Sequence, residues 1–544
     1  MTEGTPPASP RVVRRAPVRG TLVRQSTLTG LAAGAAVLSG LLLDASIAAR
    51  FGAGSSTDAF FVGARLPLVL AAVMMVGANQ ALVPMISTIL VEKGMEHTSR
   101  FVSRLFTATL LIGLGIALLG AVLAWPLMRV TAPGLASSDV NAAASVARVM
   151  FLLLPLISLA EILRAFLNAR YAFVAPAAMN VVMNVLAASS ILWLAHDDIQ
   201  VVAWAYVGGA LAQVCFMMAM AYRRQLRFRP ELELRDPDVV AMARLSVRPL
   251  LAASLNPVAR IGEQLFVSFL PPGSITILNY GYRLISAVGG SVFFRSVIVA
   301  LVPRLTEATA RGQRDELARL SRSGIRIMFA ISVPLTALAA TLAPPATLVV
   351  FNRGRFTRAD AALLGLVLAV YASGLIGSGV QRALLAPFFA RLDTRVPLRN
   401  SLYGTVANLV LLPPLLFFTH GDVAALLGVA IAYSISQYVN AAHAWYRLTE
   451  VIPRPLEGMA IWLARLGAAG LLTAGYLWAV SDGLELTAPT TRWLLALKTA
   501  FAAIGGIAVF GVLFTVLNRS ETGGAWRLLP SRRSASASSV ARGS

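Results

Sequence analysis

Hydrophobic positions in this chain fall in long blocks rather than in alternating or one-faced patterns. Apolar runs cover 28–49, 58–90, 103–130, 143–167, 172–195, 199–221, 247–270, 275–303, 324–350, 360–390, 398–418, 422–445, 459–480 and 493–517. A helix rises ~1.5 Å per residue, so ~20 apolar residues cross the ~30 Å hydrocarbon layer of a bilayer. The pattern predicts an all-α polytopic membrane protein with about 14 transmembrane helices. An even number of spans puts both termini on one side.

The polar connections say which side. Those after odd-numbered runs are short and poor in lysine and arginine, as in Gly52–Thr57, Thr131–Asn141, Pro271–Ser274 and His420–Asp422. Those after even-numbered runs carry Arg223, Arg224, Arg227, Arg229, Arg235 and Arg244, then Arg304, Arg311, Arg314, Arg319, Arg322 and Arg326. Basic loops stay on the cytoplasmic face, so both termini are expected in the cytoplasm. Arg353, Arg355 and Arg358 run against the rule on the outer side. Residues 1–27 form a basic tail, and the run at 28–49 exceeds the ~7–15 residues of a signal-peptide core, so it reads as a retained helix. Within the loops, Glu307–Arg326 has helical spacing and is expected to lie along the inner membrane surface. Ser137 or Ser138 is expected to cap a new helix.

A repeat organises the blocks. Gly63-Ala64-Arg65-Leu66 returns as Gly281-Tyr282-Arg283-Leu284, an offset of 283 − 65 = 218, and Leu82-Val83-Pro84 returns as Leu301-Val302-Pro303. Arg164-Ala165 and Arg382-Ala383 share the offset, 382 − 164 = 218. Matches at nearly one offset indicate a duplicated unit, and six intervening spans give both copies the same orientation. The expected divisions are a tail at 1–27, an N-lobe of six helices at 28–223, a linker at 224–246 and a C-lobe of six helices at 247–448. An appended pair at 459–517 and a second tail at 518–544 complete the chain. The two pseudo-symmetric lobes are expected to flank a central cavity.

Composition narrows the chemistry. With 57% hydrophobic and 13% charged residues, the chain lacks the polar surface to cover a soluble globule of 544 residues. The net charge of +22 is spread through the loops, which excludes a nucleic-acid patch as its reason. Cys215 is the single cysteine and the four histidines are scattered, so neither a disulfide framework nor a metal site is expected. There is no GxxxxGK[ST] loop and no paired carboxylate or Ser/His/Asp set. The reading is a secondary transporter without catalytic residues or cofactor.

Charges inside the spans carry what specificity remains, because an arginine at mid-bilayer costs ~2.5 kcal/mol or more and faces the bundle interior or a wet cavity. Arg283 and its repeat mate Arg65 either grip an anionic group, for which the guanidinium fork is suited, or are internally paired. Arg295 lies twelve residues beyond Arg283 and is either a second cavity cation or a partner for Glu263. Asp58 opens its helix, where the dipole favours an acid, and Asp44 falls inside the first span. Arg260 with Glu263, and Glu161 with Arg164, are spaced to neutralise each other one helical turn apart.

The stretches FGAGSSTDAFF, RLP and LVP within Phe51–Pro84 resemble the signature of the MurJ (MviN) lipid II flippases of the multidrug/oligosaccharidyl-lipid/polysaccharide exporter superfamily. The resemblance continues through Ala132–Gly134, Leu167–Asn180, Ser268–Leu284, Phe351–Asp360 and Leu385–Pro397. It implies a two-lobed bundle in the bacterial cytoplasmic membrane that binds lipid II in a cationic cavity and turns it outward by alternating access. On that reading the substrate-binding residues are Arg283, Arg295, Arg65, Asp58, Asp44 and Arg260. The partners are the lipid-linked glycan and membrane lipids, with cell-wall synthesis proteins as further candidates. The chain also departs from the family: the resemblance implies arginines at Val37 and Leu43, basic residues near Ala71 and Ala72, and an acid near Val76, where all five are apolar. Two other functions therefore stay open, a flippase for another polyprenyl-linked glycan and a non-transporting scaffold for cell-wall assembly.

Overall fold

The computed structural model describes residues 19–518 apart from 234, 290–291, 419, 453–457 and 489, and omits the side chains of 19–26, 74–81, 243, 246–259, 292–293 and 417. The terminal tails at 1–18 and 519–544 lie outside the described residues. The first half comprises α1 (Arg19–Phe51), α2 (Ser55–Glu92), α3 (Gly94–Val122), α4 (Ala124–Thr131), α5 (Ser137–Met150), α6 (Leu153–Ala169), α7 (Val174–Leu194) and α8 (Gln200–Arg223). The second comprises α9 (Pro237–Val267), α10 (Ser274–Gly289), α11 (Val292–Ala310), α12 (Arg314–Phe351), α13 (Arg358–Ala390), α14 (Arg395–Phe417) and α15 (Asp422–Thr449). The appended pair is α16 (Ala460–Gly483) and α17 (Arg492–Leu517), which packs against α12.

Three of the apolar blocks are broken rods: α3 with α4, α5 with α6, and α10 with α11, the last bent by 45°. Among the described residues eleven helices are long and apolar enough to cross a membrane, or up to twelve with the bent pair taken as one span. The expected number of fourteen is not reached on that measure. One reason is α14, where Arg395, Arg399, Asn400 and Asn408 dilute the apolar run.

Other boundaries also move. The first helix starts at Arg19 rather than 28, because nothing between Gly20 and Thr27 breaks it. The ninth starts at Pro237 rather than 247, since Asp236 caps it through the Asp238 and Val239 amides and Pro237 supplies a first-turn φ. No surface helix separates α11 from α12: Gly312 at φ +68° ends one and Arg314 begins the other, so residues 307–326 are the ends of two long helices. A helix does begin at Ser137, with Ala136 in the cap position and no side-chain cap.

The linker before α9 is tied to the first lobe. Arg104 on α3 meets Glu231, Glu233 and Asp236, and Lys93 bonds Asp238 at 2.7 Å. That hydrogen bond holds the Lys93 ammonium above its ordinary pKa.

The cores show how the lobes meet. One apolar cluster draws on both lobes and holds Leu43, Phe60, Phe61, Tyr206, Val267, Tyr280, Phe351 and Tyr371, all toward the end where α1 stops and α2 starts. Toward the other end the cores are separate. Leu82, Phe101, Phe166, Met217 and Val239 form one, and Phe294, Leu305, Met328, Leu384 and Trp462 form another. The lobes therefore share one core at one end and have separate cores at the other, where the start of α9 still packs on the first lobe; the seam between the separate cores is the interlobe cleft.

Candidate functional site in the interlobe cleft

The closed end of the cleft is fastened by one carboxylate. Asp58, in the first turn of α2, accepts from the Gly273 amide at 2.6 Å, the Thr276 amide at 2.8 Å and the Thr276 hydroxyl at 2.6 Å. These donors belong to the N-terminus of α10, the repeat mate of α2. The first-turn role expected for Asp58 is thus served on the opposite lobe, where the exposed amides of α10 favour an anion. Gly273 makes the approach possible: its φ is +93°, and a Cβ there would lie 2.9 Å from the Ala53 carbonyl oxygen. Arg355 adds a backbone bond to the Ala49 carbonyl at 2.9 Å and an ion pair with Asp197.

One layer deeper, Arg283 on α10 pairs with Asp44 on α1 at 2.7 Å, their side chains 36% and 8% exposed. Tyr206 of α8 is an electrostatic neighbour of the guanidinium. Of the two roles the sequence left open for Arg283, the described geometry is the paired one.

Arg65 donates from Nε to Gln264 Oε1 at 2.9 Å, joining α2 to α9. Arg260, one turn before Gln264, grips both oxygens of Glu263 through Nη1, at 2.7 and 2.6 Å, and stacks on the Tyr282 ring with Tyr433 beyond it. Asn408 of α14 approaches the same carboxylate at 3.4 Å. Glu263 is therefore partnered by Arg260 and not by Arg295. Arg65, Arg260, Glu263, Gln264, Asn279 and Tyr282 line a small pocket between the lobes. In it, Arg260 Nη2 and Gln264 Nε2 are buried donors with no hydrogen-bond partner among the described residues. A buried unpaired donor costs ~1–3 kcal/mol, so the pocket is short of acceptors.

Arg295 lies apart from this pocket, exposed in the second turn of α11, within Coulombic reach of Arg382 on α13. Glu161 and Arg164 form their expected pair at 2.5 Å inside the first lobe. Gln264, Tyr206 and Asn408 were not singled out by the sequence, since neutral polar residues in apolar runs give no periodic signal. Where the family resemblance implied cations, Leu43 and Ala71 are each 1% exposed and packed into the core, and Val37 faces outward. The position of Val76 lies among the undescribed side chains. Among the described residues no three His, Cys, Asp or Glu converge as a metal site.

The family described as lipid II flippase MurJ matches residues 47–488. This chain belongs to that family. A probable lipid II flippase MurJ of Vibrio cholerae is 28% identical over 487 residues, covering 85% of this chain and 91% of its own. One from Rhizobium meliloti is 27% identical and covers 96% and 99% of the two chains. Among solved structures, a lipid II flippase MurJ in an inward closed conformation aligns with a TM-score of 0.74 at 18% identity, covering 91% of this chain and 99% of that one. An inward-facing multidrug transporter of the MATE family aligns at 0.60 and 17% identity, over 78% of this chain and 95% of that one. These two share the fold. Family and helices together make this a multi-pass protein of the bacterial inner membrane.

Proposed function

We propose that the chain is a lipid II flippase, turning an undecaprenyl-diphosphate-linked peptidoglycan precursor from the inner to the outer leaflet by alternating access. The observation that carries the reading is the interlobe pocket, where Arg65 lies beside two buried donors, Arg260 Nη2 and Gln264 Nε2, that have no acceptor among the described residues. A diphosphate supplies the missing acceptors, and guanidinium forks bind it with charge-assisted bonds. The prenyl tail can stay in lipid while the head group occupies the cleft. Arg283 and Asp44 act together in this scheme, the arginine exchanging its carboxylate for the substrate. Asp58 holds the outer end shut until the head group is bound, and both termini face the cytoplasm. No step makes or breaks a covalent bond, so the protein acts as a transporter and not as an enzyme.

Complementation of a bacterium depleted of its own lipid II flippase tests this. The wild-type chain restores growth, and Arg65→Ala or Arg283→Ala at equal membrane abundance fails to. Failure of the wild-type chain at good expression overturns lipid II as the substrate. The buried, apolar Leu43 and Ala71 then favour another polyprenyl-linked glycan, because the cation pattern of the head-group site differs.

A further inference from the structure

Each copy of the repeat lays a glycine turn across the closed end of the cleft. In the first lobe, Gly134 lies in the turn between α4 and α5, and its amide donates to the Ser268 hydroxyl, just past α9, at 3.0 Å. A Cβ on Gly134 would lie 2.5 Å from the Ser268 carbonyl oxygen. In the second lobe, Gly354 lies in the turn between α12 and α13, where the Arg355 amide donates to the Ala49 carbonyl, near the end of α1, at 2.9 Å. A Cβ on Gly354 would overlap that same oxygen. The offsets agree, 354 − 134 = 220 and 268 − 49 = 219, so the two turns are equivalent and each grips the backbone of the opposite lobe.

The copies differ in what stands behind the turn. Residues 132–136 contain no lysine or arginine, whereas the second turn carries Arg353, Arg355 and Arg358, the three that run against the inside-positive rule. Arg358 reaches the appended pair, where its guanidinium donates to the Thr487 carbonyl in the loop between α16 and α17. Arg492, at the start of α17, returns the contact by donating to the Asn352 carbonyl at 2.5 Å. Each segment thus has a backbone carbonyl held by an arginine of the other. Leu486, beside Thr487, and Phe356 of the turn are both buried in the core that the lobes share, and Phe356 meets the Tyr280 ring of α10 edge to face at 6.1 Å. A single exposed contact contributes little, but two in opposite senses, over a buried floor, fix where the turn stands.

We propose that Arg358 and Arg492 are positioning residues of the closed end: through them the appended pair holds the 352–358 turn against Ala49 and keeps the second lobe's grip on the first. Because α16 and α17 lie outside the two copies, this control acts on one of the two equivalent turns and not on the other. It rests on the contacts of the turn and is independent of the substrate.

The test uses the full chain in phosphatidylcholine nanodiscs, with Cys215→Ala and a reporter Ala53→Cys alkylated by a water-soluble maleimide. R358Q and R492Q each raise the alkylation rate about threefold, the scale of one solvent-exposed contact, and R358Q/R492Q raises it about tenfold. R358K/R492K, which can still donate to both carbonyls, stays within about twofold of wild type. Deuterium exchange on the same proteins separates position from stability: in R358Q/R492Q the Arg355 amide exchanges faster, while the amides of Phe166 and Leu384 in the separate cores do not. An unchanged alkylation rate in R358Q/R492Q overturns the proposal. So does a rise that R358K/R492K shares, or exchange that rises equally in the separate cores, since either marks general loosening and not a lost position.

Discussion

Arg283 and Asp44 are one interaction with two uses. While the cleft is empty, the pair keeps a carboxylate from being buried alone. Removing one partner of a buried pair costs more than removing both. Because Arg283 is 36% exposed, solvent screening lowers that cost: Arg283→Ala should destabilise by ~1–3 kcal/mol, with Asp44→Asn/Arg283→Gln recovering much of it. Thermal unfolding of the purified protein in detergent checks this, and strictly additive effects would refute it. Glu263 is enclosed more fully, under Arg260 and Asn408. Glu263→Ala should cost ~3–5 kcal/mol by stranding the Arg260 charge, with Glu263→Gln less harmful in the same measurement. At this scale the sequence was partly legible. Charges inside apolar runs stand out, and the spacings of Arg260 with Glu263 and Glu161 with Arg164 announce their pairs. Gln264 does not stand out, and neither does the pairing of Arg283 with Asp44, which lies in another lobe.

Helices meet at the closed end through backbone groups, and there the amino-acid type matters less than its size and its place in a turn. Asp58 gathers three donors from α10, and hydrogen bonds to a charged acceptor contribute ~1.5–3 kcal/mol each. Asp58→Ala should loosen the junction. In a chain with Cys215 replaced, a reporter cysteine at Ala53 should be alkylated at least about tenfold faster in the variant, matching ~1.4 kcal/mol of lost closure. An unchanged rate would remove Asp58 from the latch. Gly273→Ala should act in the same direction, since a methyl group there meets the Ala53 carbonyl at 2.9 Å and the backbone stands at φ +93°. Element boundaries were the least legible part of the chain. Hydropathy does not see the Asp236 cap that starts α9 ten residues early, nor the Gly312 turn that merges a supposed surface helix into α11 and α12.

For the whole molecule, the repeat and the block pattern lead to the expectation of two equivalent six-helix lobes. They do not specify which end is shut, because that depends on contacts between residues some 218 positions apart, as Asp58 and Thr276 are. The division into one shared and two separate cores has a measurable counterpart. Amides at the N-terminus of α10 should exchange with deuterium far more slowly than helix-end amides of α11 facing the open end, and Asp58→Asn should reduce that contrast. Equal exchange at both ends would contradict the closure described.

The Asp58–Thr276 contact also has a geometric meaning. These residues occupy the same position in the two copies, 276 − 58 = 218, and they touch each other. Only points beside a symmetry axis meet their own images, so the axis relating the lobes passes through this bond. The latch is then permutable: with Asp58→Thr and Thr276→Asp combined, the carboxylate comes from the second lobe and caps α2 instead of α10. Either single exchange should disable transport, and the reciprocal one should restore a good part of it. The duplicated ancestor need not have chosen which lobe holds the key.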